Sequence, residues 1–217
     1  PADRRGGGGE TWDGAGLSKE QVERYARHLV LPCFGPQGQA ALLRSKVLVV
    51  GLGGLGSPCA MYLAASGVGE LGLMDQDTVE ASNLHRQVIH GEASVGRHKC
   101  ASAEQAIRAL NSSVLVRTFP QGFRPATAIE TVRGFDLVLD CSDNAATRYC
   151  VNDACVLAGR PLVSGAAIGT DGQVSTYNLI PGKSPCYRCV WPQPPDSCQR
   201  CSDAGVLGVV PGVVGLL

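Results

Sequence analysis

Apolar positions change their period along the chain, and each change predicts an element. Val22, Tyr25, Ala26, Leu29 and Val30 recur at helical spacing and predict one buried helix face. Ser18 and Gln21 fit a capping box ahead of it, the cap hydroxyl meeting the amide three residues on. Arg24, Arg27 and His28 fall on the opposite, solvated face. The run 46–50 (KVLVV) is short, continuous and β-branched. Such a run predicts a strand buried on both faces, and hence a parallel sheet.

Strands and helices alternate from there. A glycine turn leads to a helix over 55–66, then a strand ending at Asp75. A helix over 99–110, a strand over 114–118, a helix over 127–133 and a strand over 136–140 follow. A helix over 145–158 stops at Gly159, a natural C-cap, and a strand over 161–164 closes the series. Residues 173–179 alternate polar and apolar, which predicts an antiparallel extension. The fold class is therefore α/β: a doubly wound, mostly parallel sheet with right-handed crossovers and a Rossmann-like nucleotide site.

Composition adjusts this picture at the ends. Residues 1–16 are Gly-rich and polar and predict disorder, so the ordered domain spans 17–217. The chain starts with Pro and stops at Gly-Leu-Leu inside an apolar segment, which suggests a fragment cut through a helix. No apolar run reaches the ~20 residues needed to span a bilayer, so no membrane association is expected. Nineteen basic and nineteen acidic residues balance, which argues against a general nucleic-acid binder. Ten cysteines, mostly scattered through apolar segments, fit a reduced, cytosolic protein with one metal or redox site.

The chemistry concentrates after the strands. Gly51-Leu-Gly53-Gly54-Leu-Gly56 follows a strand, opens a helix and has Asp75 at the next strand end. The glycines permit a tight turn and close approach of backbone to ligand, and the helix N-terminus presents N–H groups to phosphate. Asp75 suits ribose hydroxyls. This motif alone fits NAD, FAD or ATP. Ser82-Asn83-Leu84-His85-Arg86-Gln87 and Lys99 add two cations and an amide at the same sheet edge, which favours a triphosphate that loses pyrophosphate. Asp140-Cys141-Ser142-Asp143-Asn144 ends the fourth strand, and Asp143 suits Mg²⁺ shared with phosphate oxygens. Arg86 as surface charge, Lys99 as a helix solubiliser and Asp143 as the N-cap of the next helix are the bland alternatives.

Together these stretches resemble the adenylation domain of the ubiquitin-activating-enzyme-like superfamily. They are most similar to its eukaryotic adenylyltransferase-and-sulfurtransferase group, the molybdopterin synthase sulfurylases. Arg24-Tyr-Ala-Arg27, Cys186-Tyr-Arg-Cys189 and the segment from Cys201 to Leu207 also match. The resemblance implies that the turn at Gly54 holds ATP phosphates and Asp75 the ribose. It implies that Asn83, Arg86 and Lys99 meet the triphosphate, and that Asp143, beside Asn144, holds Mg²⁺. Arg27 resembles an arginine that completes the partner subunit's site, so a homodimer is implied. The implied reaction joins AMP to the C-terminal Gly-Gly of a ubiquitin-like sulfur carrier, for molybdopterin synthesis and tRNA thiolation. A sulfur donor, a cysteine desulfurase, would act through a sulfurtransferase domain absent from this chain. An NAD-dependent oxidoreductase and a non-catalytic subunit of an activating enzyme are the alternatives.

Two readings of the last cysteines compete. On spacing, Cys186-x-x-Cys189 and Cys198-x-x-Cys201 form a four-thiolate zinc knuckle. The resemblance implies instead that Cys186 and Cys189 are half of a Zn²⁺ site and that Cys201 is reactive. Cys141 is expected to point away from the site, by alternation with Asp140 and Ser142.

Overall fold

The computed structural model describes residues 15–194 and 205–217. The chain divides into two units, one ending at Arg44 and one running Ser45–Leu217.

In the first unit, α1 (Lys19–Leu29) carries the expected capping box: Gln21 N donates to Ser18 Oγ (3.3 Å) and Ser18 N to Gln21 Oε1 (2.9 Å). Its buried face is narrower than the spacing suggests. Tyr25 and Leu29 are buried, while Ala26 and Val30 are exposed. Tyr25 departs from helical geometry (φ −103°, ψ 15°) and Val30 lies beyond the helix as its C-cap, so the 3.6-residue period breaks at both. A second helix, α2 (Gly35–Arg44), was not foreseen. Its buried Gln39 pairs with His28 Nδ1 (2.8 Å), so His28 is not a purely solvated residue.

In the second unit, β1 (Lys46–Val50) runs parallel to β2 (Glu70–Met74) on one side and β4 (Leu137–Asp140) on the other. That double partnership buries Val47, Leu48, Val49 and Val50, as a continuous β-branched run requires. The six-stranded sheet has the order β3-β2-β1-β4-β5-β6, with β3 at Leu115–Phe119, β5 at Leu162–Ile168 and β6 at Asp171–Tyr177. Only the β5–β6 pair is antiparallel. The expected doubly wound sheet with an antiparallel extension is therefore observed. The alternation expected in the extension does not bury one face, because β6 is an edge strand and only Tyr177 is buried.

Helices α5 (Pro125–Arg133) and α6 (Ala145–Ala158) share a core with β1 and β4, built from Leu48, Val50, Val132, Phe135, Val138 and Val151. Helices α3 (Gly56–Ser66) and α4 (Lys99–Leu110) pack together and bury Ala60, Ala64, Ala103 and Ile107. A short helix, α7 (Tyr187–Val190), and α8 (Val209–Leu216) complete the unit. From β1 the chain steps outward to β2 and β3, then returns to the other side of β1 with β4. The C-terminal ends of β1 and β4 are thus the topological switch point, where open α/β sheets bind ligands.

The disorder expected over 1–16 falls, for residues 1–14, outside the described residues, as do Cys198 and Cys201. No helix among the described residues is long and apolar enough to cross a membrane.

Candidate nucleotide site

β1 ends where Gly51 turns the chain with φ +95°. A Cβ there would lie 2.7 Å from the Cys141 carbonyl oxygen, and a Cβ at Gly56 would collide with the Gly51 carbonyl. Both glycines are therefore required for β1, β4 and the start of α3 to converge. Gly53 and Gly54 face outward onto a cleft of about 190 Å³ whose wall also includes Asp75, Arg86, Lys99 and Asp143. Gly56 lies behind it.

The turn is fixed from below by its own backbone. Leu52 N donates to Asp75 Oδ2 (2.8 Å), and the Leu52 carbonyl accepts from Ser57 Oγ (3.2 Å). His90 Nε2 also reaches that carbonyl (3.2 Å), while His90 Nδ1 meets Ser102 Oγ (2.9 Å). A carbonyl only accepts, so Nε2 carries the proton; in the neutral ring Nδ1 then accepts from the serine hydroxyl. Burial pushes the His90 pKa down from its ordinary 6.5, in agreement. His90 was not singled out from the sequence, because a histidine in a loop gives no local sign of a partner 38 residues away. One prediction follows from the sign of its shift. The unfolded chain binds a proton at His90 more readily than the folded one, so stability is held above about pH 6.5 and falls as pH drops below it. Thermal melts from about pH 7 to about pH 5 should show this loss, and His90→Asn should flatten it; an unchanged profile in that variant contradicts the assignment.

Asp75 accepts from Asp77 N (2.9 Å) as well as Leu52 N. Burial raises its carboxyl pKa, against the opposing effects of Lys99 and these two amides. Lys99 opens α4 with its side chain only 7% exposed; Nζ lies 2.9 Å from Asp77 Oδ2 and 3.9 Å from Asp75 Oδ2. It is a buried, paired cation, not the exposed solubiliser of the bland alternative.

Only part of the 82–87 segment reaches the cleft. Arg86 borders it, with Nη1 donating to the Ser82 carbonyl (3.2 Å) and lying 3.1 Å from His85 Nε2. Ser82 and Asn83 instead serve the turn itself: Ser82 Oγ donates to Glu80 Oε2 and Asn83 Oδ1 accepts from Glu80 N. Ser82, Asn83, Leu84 and His85 do not border the cleft. Gln87, which follows Arg86, does; it is 4% exposed, and its Oε1 has no partner among the described residues.

Across the switch point, β4 ends at Asp140 and α6 begins at Ala145. Asn144, not Asp143, is the N-cap: its Oδ1 accepts from Thr147 N (2.8 Å). The bland alternative, Asp143 as the cap, does not hold, and its exposed carboxylate is left at the cleft. Cys141 borders the cleft, but its buried thiol meets that of Cys59 on α3, which does not line the cleft, so the side chain points away from the site as expected. α8 contributes Pro211, whose ring would sit 3.0 Å from a Cβ at Gly54.

A second cavity, of about 520 Å³, shares Leu55, Ser142, Asp143, Asn144 and Ala167 with the first. Tyr149, Tyr187 and Trp191 give it aromatic walls. The Cys186–Cys189 segment docks beside it on α6. Tyr187 N donates to Asn152 Oδ1 (2.7 Å), Arg188 makes a bidentate pair with Asp153 (2.6 and 2.7 Å), and Tyr149 OH donates to the Trp191 and Gln193 carbonyls. The Cys186 and Cys189 sulfurs are 3.6 Å apart. Two thiolates on one tetrahedral zinc at ~2.3 Å would stand about 3.8 Å apart, so the pair fits half of such a site. No cluster of three or more metal-binding side chains occurs among the described residues. Arg27 is exposed on α1, in the first unit.

Residues 25–217 match the model of the ThiF family. The chain belongs to the ThiF family. It is 58% identical over 205 residues to adenylyltransferase and sulfurtransferase MOCS3 of Bos taurus, covering 94% of this chain and 45% of that protein. It is 53% identical over 204 residues to the Arabidopsis thaliana protein of the same name, covering 93% and 44%. The chain thus spans about half the length of these relatives. Among solved structures, E. coli MccB with ATP superposes with a TM-score of 0.73 at 25% identity, covering 89% of this chain and 60% of that one. The resemblance drawn from the sequence is borne out, and the six-stranded sheet is the ThiF-family sheet.

Proposed function

We propose that residues 17–217 form an adenylation domain that activates the C-terminal glycine of a ubiquitin-like sulfur carrier with ATP. One observation carries this reading. Asp143 stands on the wall shared by two cavities, one framed by glycine-turn amides and the cations Arg86 and Lys99, the other aromatic and largely apolar. The first suits a triphosphate and the second an extended, uncharged tail whose carboxylate ends at the shared wall. The names of the relatives and the ATP complex of MccB support the same pairing.

The chemistry needs charge neutralisation and positioning more than proton transfer. A carboxylate oxygen of the carrier attacks the α-phosphorus, the α–β bridging P–O bond breaks, and pyrophosphate leaves. The carboxylate is already ionised at pH 7, so no general base is required. Arg86 and Lys99 face the departing charge, and the amides at the start of α3 hold the phosphates. The exposed Asp143 carboxylate, unpaired among the described residues, is a hard oxygen donor that fits Mg²⁺, which would add charge stabilisation there. The oxidoreductase alternative leaves Arg86, Lys99 and Asp143 without a role.

The same reading assigns Cys186 and Cys189 to half of a zinc site, Cys201 to acyl or sulfur transfer, and Arg27 to the partner's site in a homodimer. It places the protein in the cytosol, taking sulfur from a cysteine desulfurase for molybdopterin synthesis and tRNA thiolation. Exchange of labelled pyrophosphate into ATP tests it. Exchange should require a carrier ending in Gly-Gly. Nucleotide binding confined to NAD, with no exchange, would overturn it.

A further inference from the structure

Among the described residues no hydrogen bond or ion pair orients the Asp143 side chain, so its direction depends on the backbone at both sides. On the C-terminal side, Asn144 is fixed as the cap of α6. On the N-terminal side, the Ser142 carbonyl accepts from Arg148 Nη2 (3.1 Å). The same Nη2 donates to the Gly165 carbonyl on β5 (3.1 Å), and Nε donates to Asp140 Oδ2 (2.9 Å). Asp140 is fully buried, and the Arg148 side chain is 13% exposed. Asp140 Oδ1 in turn accepts from Ser142 N (3.1 Å) and Ser142 Oγ (2.5 Å), while Oδ2 also accepts from Ser164 Oγ (2.7 Å). One guanidinium therefore ties β4, β5 and the peptide plane just before Asp143.

We propose that Arg148 is a positioning residue for the nucleotide site: by holding the Ser142 carbonyl against β4 and β5, it aims the Asp143 carboxylate into the cleft. The inference rests on the assignment of Asp143 to Mg²⁺ above. The geometry asks for more than charge. Three acceptors lie around one planar group, and only a guanidinium forks to all of them; an ammonium keeps the ion pair with Asp140 but cannot span both carbonyls. Ser164 offers a contrast. It also binds Asp140, but it makes no contact with the peptide before Asp143. If Arg148 merely stabilised the fold, loss of the Ser164 bond would act in the same way. Arg148 also borders the second cavity, so a tail filling that cavity meets the group that aims Asp143.

The test is a Mg²⁺ titration of ATP binding by calorimetry on the full chain, with melting temperature recorded in parallel. Arg148→Lys should raise the Mg²⁺ concentration for half-saturation by roughly 10–100-fold, the usual effect of losing an outer-shell partner, while ATP affinity without Mg²⁺ stays the same. Ser164→Ala should lower the melting temperature and leave the Mg²⁺ dependence at the wild-type value. Removing Arg148 alone would strand a buried carboxylate. The double variant Asp140→Asn, Arg148→Gln therefore repeats the measurement without a charge imbalance and should shift in the same direction. Wild-type Mg²⁺ dependence in either folded Arg148 variant overturns the inference. So does a shift in Ser164→Ala as large as that in Arg148→Lys. The titration reads binding and not turnover. Failure of the adenylation reading would appear separately, as wild-type protein that binds Mg²⁺ and ATP yet exchanges no pyrophosphate with any carrier.

Discussion

Asp143→Ala is expected to lower carrier-dependent pyrophosphate exchange by roughly 10²–10³-fold, the usual effect of deleting one preorganised charge-stabilising group. The fold should hardly notice. Asp143 is exposed, the cap of α6 belongs to Asn144, and surface changes away from such features stay within about 0.5 kcal/mol. The split between activity and stability is the informative part. Steady-state exchange together with thermal melts measures both. An Asp143→Ala protein that exchanges at the wild-type rate would remove Asp143 from the site. One that melts many degrees lower would mean that its role is structural after all.

The second large effect lies in the glycine turn. Gly56→Ala puts a methyl group into the Gly51 carbonyl, inside the contact that brings β1, β4 and the start of α3 together. The neighbours there are backbone and cannot rotate away. Overpacking of this kind costs about 1–3 kcal/mol. For a chain of this size that is a fall in melting temperature of roughly 2–12 °C. Opening the turn also misaims the amides, so ATP affinity should fall by about tenfold or more, the loss of at least one charge-assisted hydrogen bond. Gly53→Ala is the contrasting case. Its nearest neighbour would be Gln87 Nε2 at 3.8 Å, an ordinary contact, so the fold should tolerate it. Differential scanning calorimetry and ATP titration on the two variants should separate them clearly. Equal behaviour would show that the turn is not held by backbone contact.

What could be read from the sequence and what could not divide along a physical line. Gly51, Gly56 and Asp75 were readable because their roles arise within one strand–turn–helix–strand unit. The ends of β1 and β4 were readable because continuous β-branched runs admit few alternatives. Lys99 and Asp143 were readable as chemistry, yet their surroundings were not. That Asn144 caps α6 and so frees Asp143 is a choice between adjacent residues that either side chain satisfies on paper. His90, Arg148 and Pro211 went unnoticed because each acquires its role from residues on other elements. His90 meets Leu52 and Arg148 meets Asp140, Ser142 and Gly165, while Pro211 covers Gly54. Nothing in the local pattern around them differs from an ordinary loop or helix.

The most direct test of the central claim is a single turnover with α-phosphate-labelled ATP and a ubiquitin-like sulfur carrier. The label should appear on the carrier as an acyl adenylate at its C-terminal glycine. A carrier lacking its last two glycines should remain unlabelled. Label that stays on the nucleotide with the intact carrier, or transfers equally to the truncated one, would contradict adenylation at this site.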